Sequence, residues 1–247
     1  IVDKTATFGC RFFILYLYTK SFLSTILHIE TSTKNCSVSI ANCGELMSLK
    51  EINTGEYSHA EMLHPLINEA LLESKLTIKE IEAIAVGKGP GSYTGLRIGV
   101  SAAKGLCFAN DIPLISINSL EILAQTVNID SGLIIPMIDA RRMEVYAAIY
   151  DNNHNAVRET KAEIIDSHSF LDKLQKQKVY FLGDGAKKCK EIILHKNAVF
   201  IDNAFPSAKA MATIAHHKFK NKTTEDVAYF EPFYLKDFMA TQEKKKI

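Results

Sequence analysis

Apolar and polar residues alternate along this chain with two periods, and the changes from one period to the other mark its elements. Ile26–Thr31 is a short apolar run that reads as a strand. Asn35–Ala41 alternates, with Cys36, Val38 and Ile40 on one side and Ser37 and Ser39 on the other. Asn42-Cys43-Gly44 reads as a hairpin turn returning Glu45–Ile52 as a third strand. Ser58 and Glu61 fit a capping box, which predicts a helix to about Ser74, and Pro65 should kink it because its ring removes a backbone donor. A fourth strand, Ile84–Gly87, leads into the glycine-rich Lys88–Thr94 and a helix from Gly95 to about Ala109. Leu114–Ile117 is a fifth strand, with a short helix after Asn118-Ser119.

The order then restarts. Leu133–Ile138 and Glu144–Tyr150 read as strands around the tight turn Asp139–Arg142, followed by a strand near Val157–Ile164 and a helix over Ser167–Gln177. Val179–Gly183 and Val199–Ile201 are strands, Ala186–His195 reads as a helix, and a last helix over Ala208–Lys220 closes the half. Two passes of three strands, helix, strand, helix, strand predict an α/β fold of two duplicated ribonuclease-H-like lobes, the architecture of actin, Hsp70 chaperones and sugar kinases. The lobes are expected over residues 26–126 and 127–247. Residues 1–25 read as an N-terminal extension of unassigned role that need not be native. Its apolar run Phe12–Tyr18 falls short of the about 20 residues that cross a bilayer.

Composition narrows the functional classes. The chain has 247 residues, 47% hydrophobic and 23% charged, the balance of an ordinary globular protein. A net charge of +1 argues against a broad basic face that holds nucleic acid unaided, and leaves room for a local patch. The cysteines Cys10, Cys36, Cys43, Cys107 and Cys189 are odd in number and form no CxxC, so reduced thiols in a cytoplasmic protein are expected. The Lys244–Lys246 run reads as a solvated tail.

Residues 87–99, GKGPGSYTGLRIG, form the most specific stretch. No Lys-Ser or Lys-Thr follows the closing glycine, as a nucleotide phosphate loop requires, nor does the spacing fit a dinucleotide fingerprint. Turn conformation and close backbone packing account for the glycines better. In the following helix Leu96, Val100, Ala103 and Cys107 make a stripe suited to lie on a sheet. Gly95, Gly99 and Ala102 make a second stripe of small residues, and a mid-helix glycine calls for a reason such as close approach of another helix. His59 and His64 stand five apart, roughly 140° around a helix, which does not make a zinc pair. His216-His217 also point to different faces. Glu30 and Asp139 place one acid at each first hairpin, where turn chemistry alone explains them.

These stretches carry a resemblance. Ile26–Thr33 (ILHIETST), Gly89–Gly99 (GPGSYTGLRIG), Pro136–Tyr150 (PMIDARRMEVYAAIY) and Asp226–Lys236 (DVAYFEPFYLK) resemble, in order, the motifs of the TsaB (YeaZ) family of the glycoprotease-like superfamily. The usual aspartate of the first motif is Glu30 here. The resemblance implies a non-catalytic, activating subunit in the formation of threonylcarbamoyladenosine in tRNA, with no cofactor of its own. Its implied partner is TsaD, a transferase of similar fold that carries metal-binding histidines and modifies the adenosine beside the anticodon. A TsaE-type ATPase joins the complex, tRNA is met through the complex, and a homodimer is a further implied assembly. The helices 58–74 and 95–109 are then expected to form the partner face, with Met62, Leu63, Leu66, Ile67, Gly95, Gly99 and Ala102 as its residues. A rival reading is an actin-like small-molecule kinase, for which Gly183-Asp184-Gly185 is the candidate adenosine loop. A metallohydrolase would need a ligand pair that the histidines do not supply.

Overall fold

The computed structural model describes residues 24–53 and 58–236. Three apolar segments build the antiparallel half of a first sheet: β1 (Thr25–Glu30), β2 (Cys36–Asn42) and β3 (Glu45–Ile52). β4 (Ala83–Gly89) and β5 (Leu114–Asn118) add in parallel on the other side, giving the order β3-β2-β1-β4-β5. Register sets the faces: Ile29 pairs with Val38 and His28 with Ser39. The apolar set therefore points one way and the polar set the other.

Helices α1 (His59–Ser74) and α2 (Tyr93–Asn110) cover the apolar face. Leu63, Leu66, Ile67 and Ala70 from α1, and Val100, Ala103 and Cys107 from α2, pack on Leu27, Ile29, Val38, Ile40, Ile84 and Val86. The stripe expected on α2 is thus the one buried. α1 runs through Pro65 without interruption, because the missing N–H would have served the exposed residue Glu61, whose carbonyl water can satisfy. The helix ends where Lys75 turns left-handed and its N–H returns to the carbonyls of Leu71 and Leu72.

The second sheet repeats the plan. β6 (Leu133–Asp139), β7 (Glu144–Asp151) and β8 (Ala156–Ile164) are antiparallel, and β9 (Val179–Leu182) and β10 (Ala198–Ile201) add in parallel. The order β10-β9-β6-β7-β8 is the first sheet's order read from the other edge. Each sheet has the ribonuclease-H-like arrangement, so the fold is the duplicated α/β architecture of the actin, Hsp70 and sugar-kinase group. α3 (Ser119–Ala124) joins the halves: Leu120, Leu123 and Ala124 pack on Ile134, Ile138 and Leu182, while Ile122 packs on the first sheet's Ile115 and Ile117.

Three elements depart from the sequence reading. The helices expected over 167–177 and 186–195 shrink to α4 (Leu171–Leu174) and α5 (Asp184–Cys189). The last helix, α6 (Ala212–Lys220), lies on the first sheet: Met211 and Ala215 meet Ile26, Ala85, Ile115 and Ile117. The reason is coverage, since a parallel strand pair needs both faces buried and α1 and α2 supply only one. Beyond α6 the chain returns to the start of β5, where the N–H of Glu225 donates to the carbonyl of Leu114 at 2.8 Å in an isolated antiparallel bridge. Readings placed on residues 1–23 and on Lys244–Lys246 lie outside the described residues. Among the described residues no helix is long and apolar enough to cross a membrane.

Candidate functional site

The glycine-rich segment packs against the turn that follows β1. The Ser92 N–H donates to the carbonyl of Ser32 at 2.7 Å, and the Ser92 hydroxyl accepts from Gly95 N–H, capping α2. A Cβ on Gly95 would stand 2.2 Å from the carbonyl oxygen of Thr31, and one on Gly99 2.2 Å from the Thr31 hydroxyl. The close approach expected of another helix is therefore made by the chain's own turn. Thr31 fixes it by donating to the carbonyl of Gly95 at 2.8 Å.

The acids of the two hairpins are already engaged. Glu30 is fully buried; its carboxylate accepts from Ser32 N–H at 2.6 Å and from the Ser119 hydroxyl at 3.3 Å. Burial pushes the carboxyl up from its ordinary value, and those hydrogen bonds pull it part of the way back. Asp139 pairs with Lys188, whose ammonium also donates to the carbonyls of Arg142 and Glu144, each at 2.7 Å. Asp184 accepts from Asp139 N–H at 3.0 Å, and burial raises its carboxyl. Nor is the Gly183–Gly185 turn open: a Cβ on Gly183 would stand 2.2 Å from the Met137 carbonyl oxygen.

His59 is buried, and its Nε2 donates to the Thr33 carbonyl at 2.7 Å, holding α1 against the same turn. His64 is exposed on α1. Among the described residues no group of three His, Cys, Asp or Glu side chains is arranged to hold a metal ion.

Between α1 and α2 lies a groove of about 370 Å³, lined by His64, Ile98, Ser101, Ala102, Gly105 and Leu106. Of the seven residues expected at a partner face, Leu63, Leu66 and Ile67 are buried in the core, and Gly95 and Gly99 face Thr31. Met62 and Ala102 stay partly exposed, and Ala102 lines the groove. Ile98, Ser101, Gly105 and Leu106 were missed. Their signal was present in the spacing, since 98, 101 or 102, and 105 form a stripe beside the one that lies on the sheet. A Cβ on Gly105 would meet nothing within 4 Å.

The model of the family described as TsaD, tRNA N6-adenosine threonylcarbamoyltransferase, matches residues 54–244. The tRNA threonylcarbamoyladenosine biosynthesis protein TsaB of Escherichia coli is 32% identical, over 87% of this chain and 96% of its own. The protein of that name from Bacillus subtilis is also 32% identical, over 90% and 98%. The solved structure of YeaZ from Pseudomonas aeruginosa superposes with a TM-score of 0.70 at 25% identity, covering 86% of this chain and all of that one. Matched over nearly its whole length by relatives of one name, the chain belongs to the TsaB (YeaZ) family, within the wider family that the TsaD model describes.

Proposed function

We propose that this chain is a non-catalytic, activating subunit in the biosynthesis of threonylcarbamoyladenosine in tRNA, docking through the α1–α2 groove onto a TsaD-type transferase. The family supports the pathway, and the groove is the observation that carries the docking. Ile98, Ala102 and Leu106 offer apolar surface to it, and Gly105 leaves room for a partner side chain. Helices of a similarly folded subunit entering this groove would pack ridges into grooves across the interface. The described chemistry agrees with a silent subunit: Glu30 and Asp139 are held by protein donors, and the glycines are committed to close packing. A kinase reading would need those groups free for a nucleotide. In the same reading the lobes divide near residue 126, a TsaE-type ATPase joins the pair, the complex meets the tRNA, and the protein works in the cytoplasm. Self-association would use the same groove in the absence of TsaD.

Gly105→Glu tests the docking. Its side chain enters open space, so the variant should unfold at the wild-type temperature, and a charge in the apolar interface should abolish capture of TsaD in a pull-down. A folded variant that captures TsaD as well as wild type places the docking face elsewhere. Gly99→Glu is not a usable test, because the clash with Thr31 would break the lobe itself.

A further inference from the structure

A strip of rings and cations runs from α2 along the C-terminal segment to the second sheet. Tyr93 and Arg97 open α2, and the Arg97 guanidinium lies 4.6 Å over the Tyr93 ring. The Tyr234 ring stands 5.0 Å from that of Tyr93. Two residues on, Lys236 reaches the second sheet and pairs with Glu144. The Glu144 N–H donates to the carbonyl of Arg141 at 3.2 Å, so the Arg141-Arg142 turn comes next along the strip. Tyr146 is half-buried among them, close enough for Lys236 and Arg141 both to act on its phenol.

The sign of the strip is positive. Glu144 is neutralised by Lys236 and Asp139 by Lys188, whereas the guanidinium groups of Arg97, Arg141 and Arg142 form no ion pair among the described residues, Arg141 meeting Asp139 only through its backbone N–H at 2.9 Å. A second observation singles out the turn. Arg141 and Arg142 both sit in the left-handed region, with φ of 70° and 50°, where glycine or asparagine rests at far lower cost. Chain reversal alone does not call for two arginines there.

We propose that this strip is a contact surface for single-stranded RNA, with a base stacking on the exposed Tyr234 and phosphates meeting Arg97, Arg141 and Arg142. The inference rests on the reading above that the chain works on tRNA, and adds that the chain touches RNA itself. Its flank of α2 is distinct from the groove: Tyr93 meets Tyr234 of the C-terminal segment, whereas Ala102 and Gly105 line the groove.

Fluorescence anisotropy on the full chain tests it, with a labelled short oligouridylate and an RNA duplex of equal length, at several salt concentrations. The single strand should bind with a Kd on the order of 10–100 μM at low salt and outcompete the duplex. Replacing both turn arginines, Arg141→Gly with Arg142→Gly, relaxes the backbone, so the variant should unfold no earlier than wild type. It should bind about tenfold more weakly, with a salt slope smaller by about 1.4. Tyr234→Ala should weaken binding about fivefold or more and leave the slope unchanged. No binding of oligouridylate, equal binding of the duplex, or an unchanged double variant would each overturn the proposal. TsaD capture is read on the same samples. Captured TsaD without RNA binding rejects the strip alone, whereas RNA binding without captured TsaD supports the strip and rejects the docking.

Discussion

Three positions in the first sheet show how much individual residues matter. Gly87 lies beside Glu30, and a Cβ there would stand 2.0 Å from a carboxylate oxygen, so the longer acid and the missing Cβ belong together. Gly87→Ala should cost roughly 1–3 kcal/mol by overpacking, and adding Glu30→Asp should recover much of it, as urea unfolding of the double-mutant cycle would show. Simple additivity would contradict the pairing. Glu30 also predicts a pH dependence. Its folded carboxyl is raised, so its contribution is fully present below the unfolded value of about 4.3 and is lost as pH rises through the folded value. Glu30→Gln keeps the shape, and its stability relative to wild type should therefore grow from pH 4 to 8; a constant gap would contradict this. His28 has the opposite sign. It is fully buried with Nε2 unpartnered, and burial lowers its imidazole to about 4. The unfolded histidine takes a proton first, so stability on the order of 3 kcal/mol is lost as pH falls from about 6.5 to about 4. His28→Gln should flatten that limb in a series of thermal melts, and an unchanged limb would contradict it.

At the scale of elements, the sequence was legible wherever burial is periodic. The alternation in Asn35–Ala41 separated the apolar from the polar face of β2, both of which are buried, and the stripe Leu96, Val100, Ala103, Cys107 named the buried face of α2. What it did not show is which sheet an element joins. The apolar residues of α6 fit either half, and only the uncovered face of the first sheet decides. Small residues were ambiguous for the same reason: Gly95, Gly99 and Gly105 look alike in sequence, yet the first two meet Thr31 and the third meets nothing. The C-terminal segment was legible as a motif without its route. Lys104 fixes that route, donating to the carbonyls of Ala228 and Phe230 at 3.2 and 2.8 Å. Further along, Phe233 N–H donates to the carbonyl of Lys88 at 2.7 Å. Lys104→Met should leave global stability within about 1.5 kcal/mol but speed amide exchange at Phe233 several-fold, because local opening needs only those contacts. Unchanged exchange would show that the segment is held elsewhere.

The whole molecule is a duplicated fold in which the acids of the two first hairpins are held by the chain's own atoms. Glu30 is closed over by Ser32 and Ser119, and Asp139 by Lys188, while the α1–α2 groove stays open on the outside. The proposed role puts function on the surface, at the groove, and not at these acids. The most direct measurement is threonylcarbamoyl transfer to tRNA, followed with the chain alone, with a TsaD from the same source supplied with the adenylate donor, and with both together. A silent subunit that docks through the groove gives no turnover alone, stimulation when the wild-type chain is added to TsaD, and none from Gly105→Glu. Turnover by the repurified chain alone that disappears in Glu30→Gln or Asp139→Asn, or full stimulation by Gly105→Glu, would contradict it.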